Sequence, residues 1–222
     1  MKATLFALFI ALLMVGCGEG LPLEKLQMNG KHTEYHEDGQ KKGEGNLKDG
    51  KRDGLWFFWL ENGQKKSEHN YKDGEFHGLW TLWYENGQKM LEINYKDGKQ
   101  DGLATKWYES GQKHWEENWK NGKKTDEITW YENGQKHWEI NFPDGNSHWK
   151  DGLRTRWHEN GQKEIEETFK DGKLMSAKGW KPNGEKCPVT NVVNGNGVWV
   201  WYKEDGTESF RKTYKNGVKV ED

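Results

Sequence analysis

The chain of 222 residues has 32% hydrophobic and 32% charged side chains and a mean hydropathy of -1.19, too polar to fill the thick core of one compact globule. Its 14 Trp, 8 Tyr and 8 Phe exclude an ordinary disordered chain, which is poor in aromatics. A formal net charge of -2 with no basic block gives no electrostatic basis for nucleic-acid binding, and no nucleic-acid partner is expected.

Taken in chain order, the sequence divides into a signal peptide (1–16), a lipidated tether (17–29) and a repeat array (30–222). Met1 and Lys2 precede an apolar run from Ala3 to Val15, followed by Gly16 and Cys17. The run is short of the about 20 residues that span a bilayer. A charged start, an apolar stretch and a small residue before a break describe an export signal. The ending Leu13-Met14-Val15-Gly16-Cys17 resembles a bacterial lipobox, with Met14 where Leu is usual. The resemblance implies cleavage after Gly16, lipid (palmitate among its chains) on the Cys17 thiol, and a membrane as one partner. Gly18 stands where an inner-membrane retention Asp would, so an outer membrane is the expected address in a Gram-negative cell. An ordinary signal peptide with an incidental Cys, or an uncleaved anchor, is the alternative. With Cys17 lipidated, Cys187 has no partner, and no intrachain disulfide is expected.

From about residue 30 one unit recurs. WYENGQKMLEINYKDG at Trp83 to Gly98 returns with substitutions from Trp59, Trp107, Trp130 and Trp157. Such internal repetition decides the architecture before any single motif does. A first glycine (Gly39, Gly63, Gly87, Gly111, Gly134, Gly161, Gly184, Gly206) is followed 11 residues later by a second, as from Gly63 to Gly74. Most of both series follow Asn or Asp, the pairing that favours type I′ hairpin turns. Each copy therefore reads as strand, turn, strand, turn, giving an all-β, elongated, open antiparallel meander of about eight repeats. The common period is 24 residues, as from Gly63 to Gly87.

Four residues before each first glycine stands an aromatic: Tyr35, Trp59, Trp83, Trp107, Trp130, Trp157, Trp180 and Tyr202. The second strand alternates between an aromatic or aliphatic face (Tyr71, Tyr95, Trp119) and a Glu and Asn face (Glu68, Asn70), the period of two that marks a strand. The aromatics should form rows along the sheet. Most of the Trp/Tyr row is expected to be core, and part of it an open binding platform. Doublets such as Trp56 with Trp59, Trp107 with Tyr108 and Trp199 with Trp201 point to both faces, so they cannot share one core. A third glycine (Gly30, Gly54, Gly78, Gly102, Gly152, Gly197) suggests a bulge or close backbone approach, where the neighbouring bulky row can lie flat.

These residues, Asp49-Gly50-Lys51, Gly54-Leu55-Trp56 and Trp83-Tyr84-Glu85-Asn86-Gly87 above all, resemble the MORN repeat family in its bacterial variant form, over about 30–222. The resemblance implies successive β-hairpins side by side in one long, gently twisted sheet. About sixteen strands at ~4.8 Å would give a ribbon roughly 75 Å long, in which Trp83→Ala should cost on the order of 3 kcal/mol. Thr125-Asp126, the insertion at Asn146 to Lys150 and the segment with Cys187 and Pro188 depart from the pattern. Pro188 cannot donate a ladder hydrogen bond, and a pairing defect is expected there.

No nucleophile motif or phosphate loop is present. The repeated Glu68, Glu92, Glu116 and Glu139 supply like carboxylates, whereas acid–base catalysis needs unlike ones. His114 and His137 occupy equivalent positions, but no second pair completes a tetrahedral metal site. No enzyme activity, cofactor or metal is expected. The expected function is a membrane-anchored, non-catalytic scaffold binding a protein or envelope polymer. One alternative, from the resemblance, is an antitoxin or immunity-like protein that neutralises a toxin, which the export signal disfavours. Another is a glycan-binding module using exposed Trp/Tyr rows.

Overall fold

The computed structural model describes residues 29–143, 145, 150–203 and 205–220. The export signal, Cys17 and most of the 146–150 insertion lie outside the described residues. Seventeen strands follow in chain order. They begin with β1 (Gly30–Tyr35), β2 (Lys41–Lys48), β3 (Lys51–Trp59), β4 (Lys65–Lys72), β5 (Glu75–Trp83) and β6 (Lys89–Lys96). The middle holds β7 (Lys99–Trp107), β8 (Lys113–Lys120), β9 (Lys123–Trp130), β10 (Lys136–Asn141) and β11 (Gly152–Trp157). The rest are β12 (Lys163–Lys170), β13 (Lys173–Trp180), β14 (Lys186–Val193), β15 (Asn196–Tyr202), β16 (Glu208–Lys215) and β17 (Val218–Val220). Each strand pairs antiparallel with the next, from β1–β2 to β16–β17. The fold is the expected all-β meander of tandem hairpins.

The two turns of each repeat differ, which corrects the expectation of type I′ throughout. Only the second turn is type I′, with Asp49, Asp73, Asp97, Asn121, Asp171, Asn194 and Asn216 at positive φ beside their glycines. In the first, the glycine alone is left-handed, at φ 79° in Gly63. Its amide donates to the Leu60 carbonyl at 2.9 Å, and the Leu60 amide donates to Gln64 at 2.9 Å. This is a type I turn closed by a glycine bulge. Asn62 stays right-handed because its side-chain oxygen accepts the Gln64 amide at 3.0 Å, as Asn86, Asn133 and Asn160 do for their own glutamines. Such a local bond offers the turn an alternative to the left-handed pair.

Both edges are tied from hairpin to hairpin. On the second-turn edge the Gly74, Gly98 and Gly122 amides donate to Arg52, Phe76 and Gln100 carbonyls at 2.8–2.9 Å. Asn29 and Asp101 accept the amides of Asp49 and Asn121. On the first-turn edge the hydroxyls of Tyr84, Tyr108 and Tyr131 donate to the carbonyls of Trp107, Trp130 and Trp157.

The third glycines carry the expected bulges, as the register shifts at Gly54, Gly78 and Gly102 show. At Gly152 and Gly197 they give the expected close backbone approach, where a Cβ would collide with the Asn141 and Asn191 carbonyls. The expected flat-lying ring is replaced by asparagine side chains at Gly78 and Gly102. The third glycines sit at positive φ, from 76° at Gly54 to 140° at Gly197, yet a Cβ on Gly54 would meet nothing within 4 Å. The need there is conformational, since left-handed backbone strains any side chain but glycine. A ring does lie flat across backbone at Gly45, where a Cβ would collide with the Trp56 indole.

Pairing places Trp56, Phe58, Tyr71, Phe76, Trp80, Ile93 and Ala104 on one face, the inner one, and Phe57, Trp59, Glu68, Thr81, Trp83 and Glu92 on the other. The core lies on the inner face: Trp56 is 0% exposed, and ring contacts run from Trp56 through Phe58 and His69 to Phe76, Trp80 and Tyr95. The sheet is not a flat ribbon. It curls inward at its C-terminal half, where Ile165, Leu174, Ala177, Val192 and Trp199 form one cluster with Phe169, Trp201 and Tyr214 packed against it. The Arg156 guanidinium of β11 lies 3.5 Å from the Trp201 ring centroid of β15. Trp199 and Trp201 are on the same face, with ring centroids 5.1 Å apart, because they are two residues apart. The defect at Pro188 is present: Lys178 pairs with Asn191 but Gly179 with Cys187. Cys187 is buried and free.

Trp56→Ala should therefore cost about 3–5 kcal/mol, as for a fully buried aromatic, and Trp83→Ala, whose ring is only half-buried, about half that. Urea unfolding of the two variants checks this. Equal losses would mean that the two faces bury their rings alike.

Candidate functional site

The eight-residue aromatic row is not the core. Tyr35 is 61% exposed, and Trp59, Trp83, Trp107, Trp130, Trp157, Trp180 and Tyr202 are half-buried. The six tryptophans are covered by lysines of the same sheet instead of by a second layer. Lys41 lies over Trp59, Lys65 over Trp83 at 4.4 Å, Lys89 over Trp107, Lys113 over Trp130, Lys136 over Trp157 and Lys163 over Trp180. Each lysine comes from the strand just before its tryptophan's. The lysine stem shields the ring while its ammonium meets the negative π-face, worth about 0.5–1 kcal/mol at an exposed site.

Each of these lysines also pairs with a carboxylate three residues on. The pairs are Lys41–Glu44 (2.7 Å), Lys65–Glu68, Lys89–Glu92 (2.6 Å), Lys113–Glu116, Lys136–Glu139 (2.9 Å) and Lys163–Glu166 (2.9 Å). The Lys163 bond is the first cause, and Lys178 a further one, of Glu166 being held below the usual carboxylate range. The glutamate ladder is thus a ladder of ion pairs. Sequence reading missed the lysine partner, although its signal was there: a Lys two residues after the first glycine, with Glu three residues beyond, in six copies. Beyond the glutamates, Leu55, Leu79, Leu103 and Leu153 are exposed at 42–46%. The outer face thus presents parallel stripes of Trp, Lys, Glu and Leu that repeat with every hairpin.

His114 and His137 do not face each other. They pack on Tyr108 and Tyr131, each with ring centroids 4.3 Å apart. Among the described residues no group of His, Cys, Asp and Glu has the arrangement of a metal site.

The inner face changes character along the array. After the N-terminal aromatics come charges. Lys124 bonds Glu117 at 3.0 Å and Glu127 at 2.7 Å, and Arg154 bonds Glu167, whose side chain is 3% exposed. A first-turn cleft of about 600 Å³ opens beside Arg156 and Trp201.

These features define a tandem β-hairpin repeat protein with one self-covering face and one repeated display face. Four segments, 28–49, 52–73, 76–97 and 150–171, match the MORN repeat variant family. No curated protein matches the chain. The structure carries the same hairpin beyond the matched segments, through β7–β9 and β13–β16.

His69 makes the inner face acid-sensitive. It lies among Phe58, Phe76 and Trp80, with Nδ1 3.1 Å from the Tyr71 hydroxyl. Burial first, then the Arg52 and Lys66 charges, push its pKa down to about 4. The folded value lies below the unfolded ~6.5, so the folded state binds fewer protons. Its contribution is complete above the unfolded pKa and is lost as pH falls from ~6.5 to about 4, amounting to about 2–3 kcal/mol. Comparing urea midpoints at pH 7 and pH 4.5, His69→Phe should lose less stability than the wild type. An identical loss would place the acid sensitivity elsewhere.

Proposed function

We propose that the protein is a non-catalytic scaffold, held at a membrane by lipid on Cys17, that binds a protein or an envelope polymer along its outer face. One observation carries this reading: the Trp–Lys–Glu cluster recurs six times at the same place in successive hairpins. An acid–base catalytic site gathers unlike groups whose environments push their pKa values apart. A row of like groups suits an extended partner held at several points, where each further contact acts intramolecularly. Exposed leucines beside the charged stripes add apolar area to the same face.

The anchor rests on the sequence from Met1 to Cys17, and the outer-membrane address on Gly18. One acyl chain binds a membrane only marginally, whereas the several chains of a matured lipoprotein make attachment stable.

Labelled palmitate should enter the wild-type protein and not Cys17→Ser. The unlipidated chain from Gly18 onward should sediment with washed envelope material. The triple variant Lys65→Glu, Lys89→Glu, Lys113→Glu, which breaks three adjacent clusters, should sediment less. Palmitate labelling of Cys17→Ser would remove the anchor. Sedimentation unaffected by the triple variant would remove the outer face as the binding surface.

A further inference from the structure

First-turn clefts of about 450 Å³ beside Trp59 and about 510 Å³ beside Tyr108 and Tyr131 recur along the array, and at the C-terminal curl the cleft gains a wall from a distant strand. There β11 and β15, four strands apart, come into contact, and the first turns of successive hairpins converge on a cleft of about 600 Å³. Tyr131, Arg156, His158, Glu164, Trp201 and Ser209 are among its walls. This volume lies within the range of small-molecule sites.

Two buried nitrogens in these walls have no hydrogen-bond partner: Arg156 Nε and His158 Nε2. The same carboxylate holds both side chains by their other nitrogens. Glu164 Oε1 accepts from the Arg156 Nη2 group, and Glu164 Oε2 lies 3.9 Å from His158 Nδ1, with the His158 and Glu164 side chains 11% exposed. An unsatisfied buried polar group costs about 1–3 kcal/mol, and native structures keep few of them. Two on side chains that line one cleft and share one carboxylate point to a ligand that supplies the missing partners.

We infer that this cleft binds a neutral saccharide. The charge balance selects the class. Arg156 is neutralised by Glu164, and of the other charged lining residues, Glu159 and Lys203 offset each other. An anionic or cationic ligand would have to compete with the internal pair. An apolar ligand would leave both nitrogens unsatisfied. A hydroxyl can accept a hydrogen bond from the Arg156 Nε–H and donate one to His158 Nε2, the acceptor nitrogen when Nδ1–H faces Glu164, and the Ser209 hydroxyl supplies a further polar wall. The inference deepens the polymer-binding reading above by placing a glycan end or short unit in this cleft, while the tryptophan row remains covered by lysines.

Isothermal titration calorimetry of the chain from Gly18 onward with maltose, cellobiose, lactose and N,N′-diacetylchitobiose tests it. At least one should bind to a single site. His158→Ala should weaken that binding about tenfold or more, the loss of one well-placed hydrogen bond. Ser209→Trp, at an exposed position, should abolish it by filling the mouth while leaving the urea midpoint unchanged. No heat with any of the four sugars, or binding unaltered by Ser209→Trp, would overturn the inference. So would acetate or inorganic phosphate competing with the sugar. Failure here with envelope sedimentation intact would remove the cleft alone. Loss of both would remove the polymer-binding reading with it.

Discussion

A sheet one layer thick has no facing layer to press its strands into place, so its turns must hold it. Here the two kinds of turn do so by different chemistry. The type I′ turns send glycine amides back to the preceding hairpin. The type I turns send tyrosine hydroxyls forward to the next row carbonyl. The middle hairpins, from Tyr84 to Tyr131, are thereby fixed to their neighbours at both ends as well as along their ladders. Left-handed glycines such as Gly54 and Gly102 add bulges, which bend and twist a strand. The bent sheet then brings its inner side chains together, and a polar chain gains a core without a second layer.

The outer face meets the same constraint by other means. Its tryptophans cannot bury against an opposing sheet, so lysine stems from adjacent strands cover them and glutamates hold the lysines. Each link is worth little alone, about 0.2–1 kcal/mol for an exposed ion pair, but the unit is repeated six times. The mid-array inner face follows a different rule, placing Arg154 with Glu167 and Lys124 with Glu117 and Glu127. Burying such pairs stabilises little once desolvation is counted, so this stretch is the polar interval between an aromatic core and an aliphatic one.

Most of the topology was legible in the sequence because turn glycines and a period of two are local signals. Strand positions, the alternation at Glu68 to Tyr71 and the defect at Pro188 all follow from residues close in the chain. The difference between the two turns was less legible. Asn62-Gly63 and Asp73-Gly74 look alike, and only the side-chain bond from Asn62 to the Gln64 amide separates them. Which face becomes the core depends on the sense of the curl, a sum over many bulges, so Trp56 and Trp59 gave no sign of which would be inside. The cleft at Arg156 and Trp201 joins residues 45 positions apart (201 minus 156) and has no local signature.

The dependence of the whole array on turn-to-turn bonds is tested most directly by native-state hydrogen exchange at the Gly74, Gly98 and Gly122 amides. Solvent-facing turn amides in an ordinary hairpin exchange quickly. If these glycines tie one hairpin to the last, they should exchange as slowly as the central strand amides of the same hairpins and become labile together with them in denaturant. Rapid exchange of the three, with the strands still protected, would show that the sheet holds its shape without them.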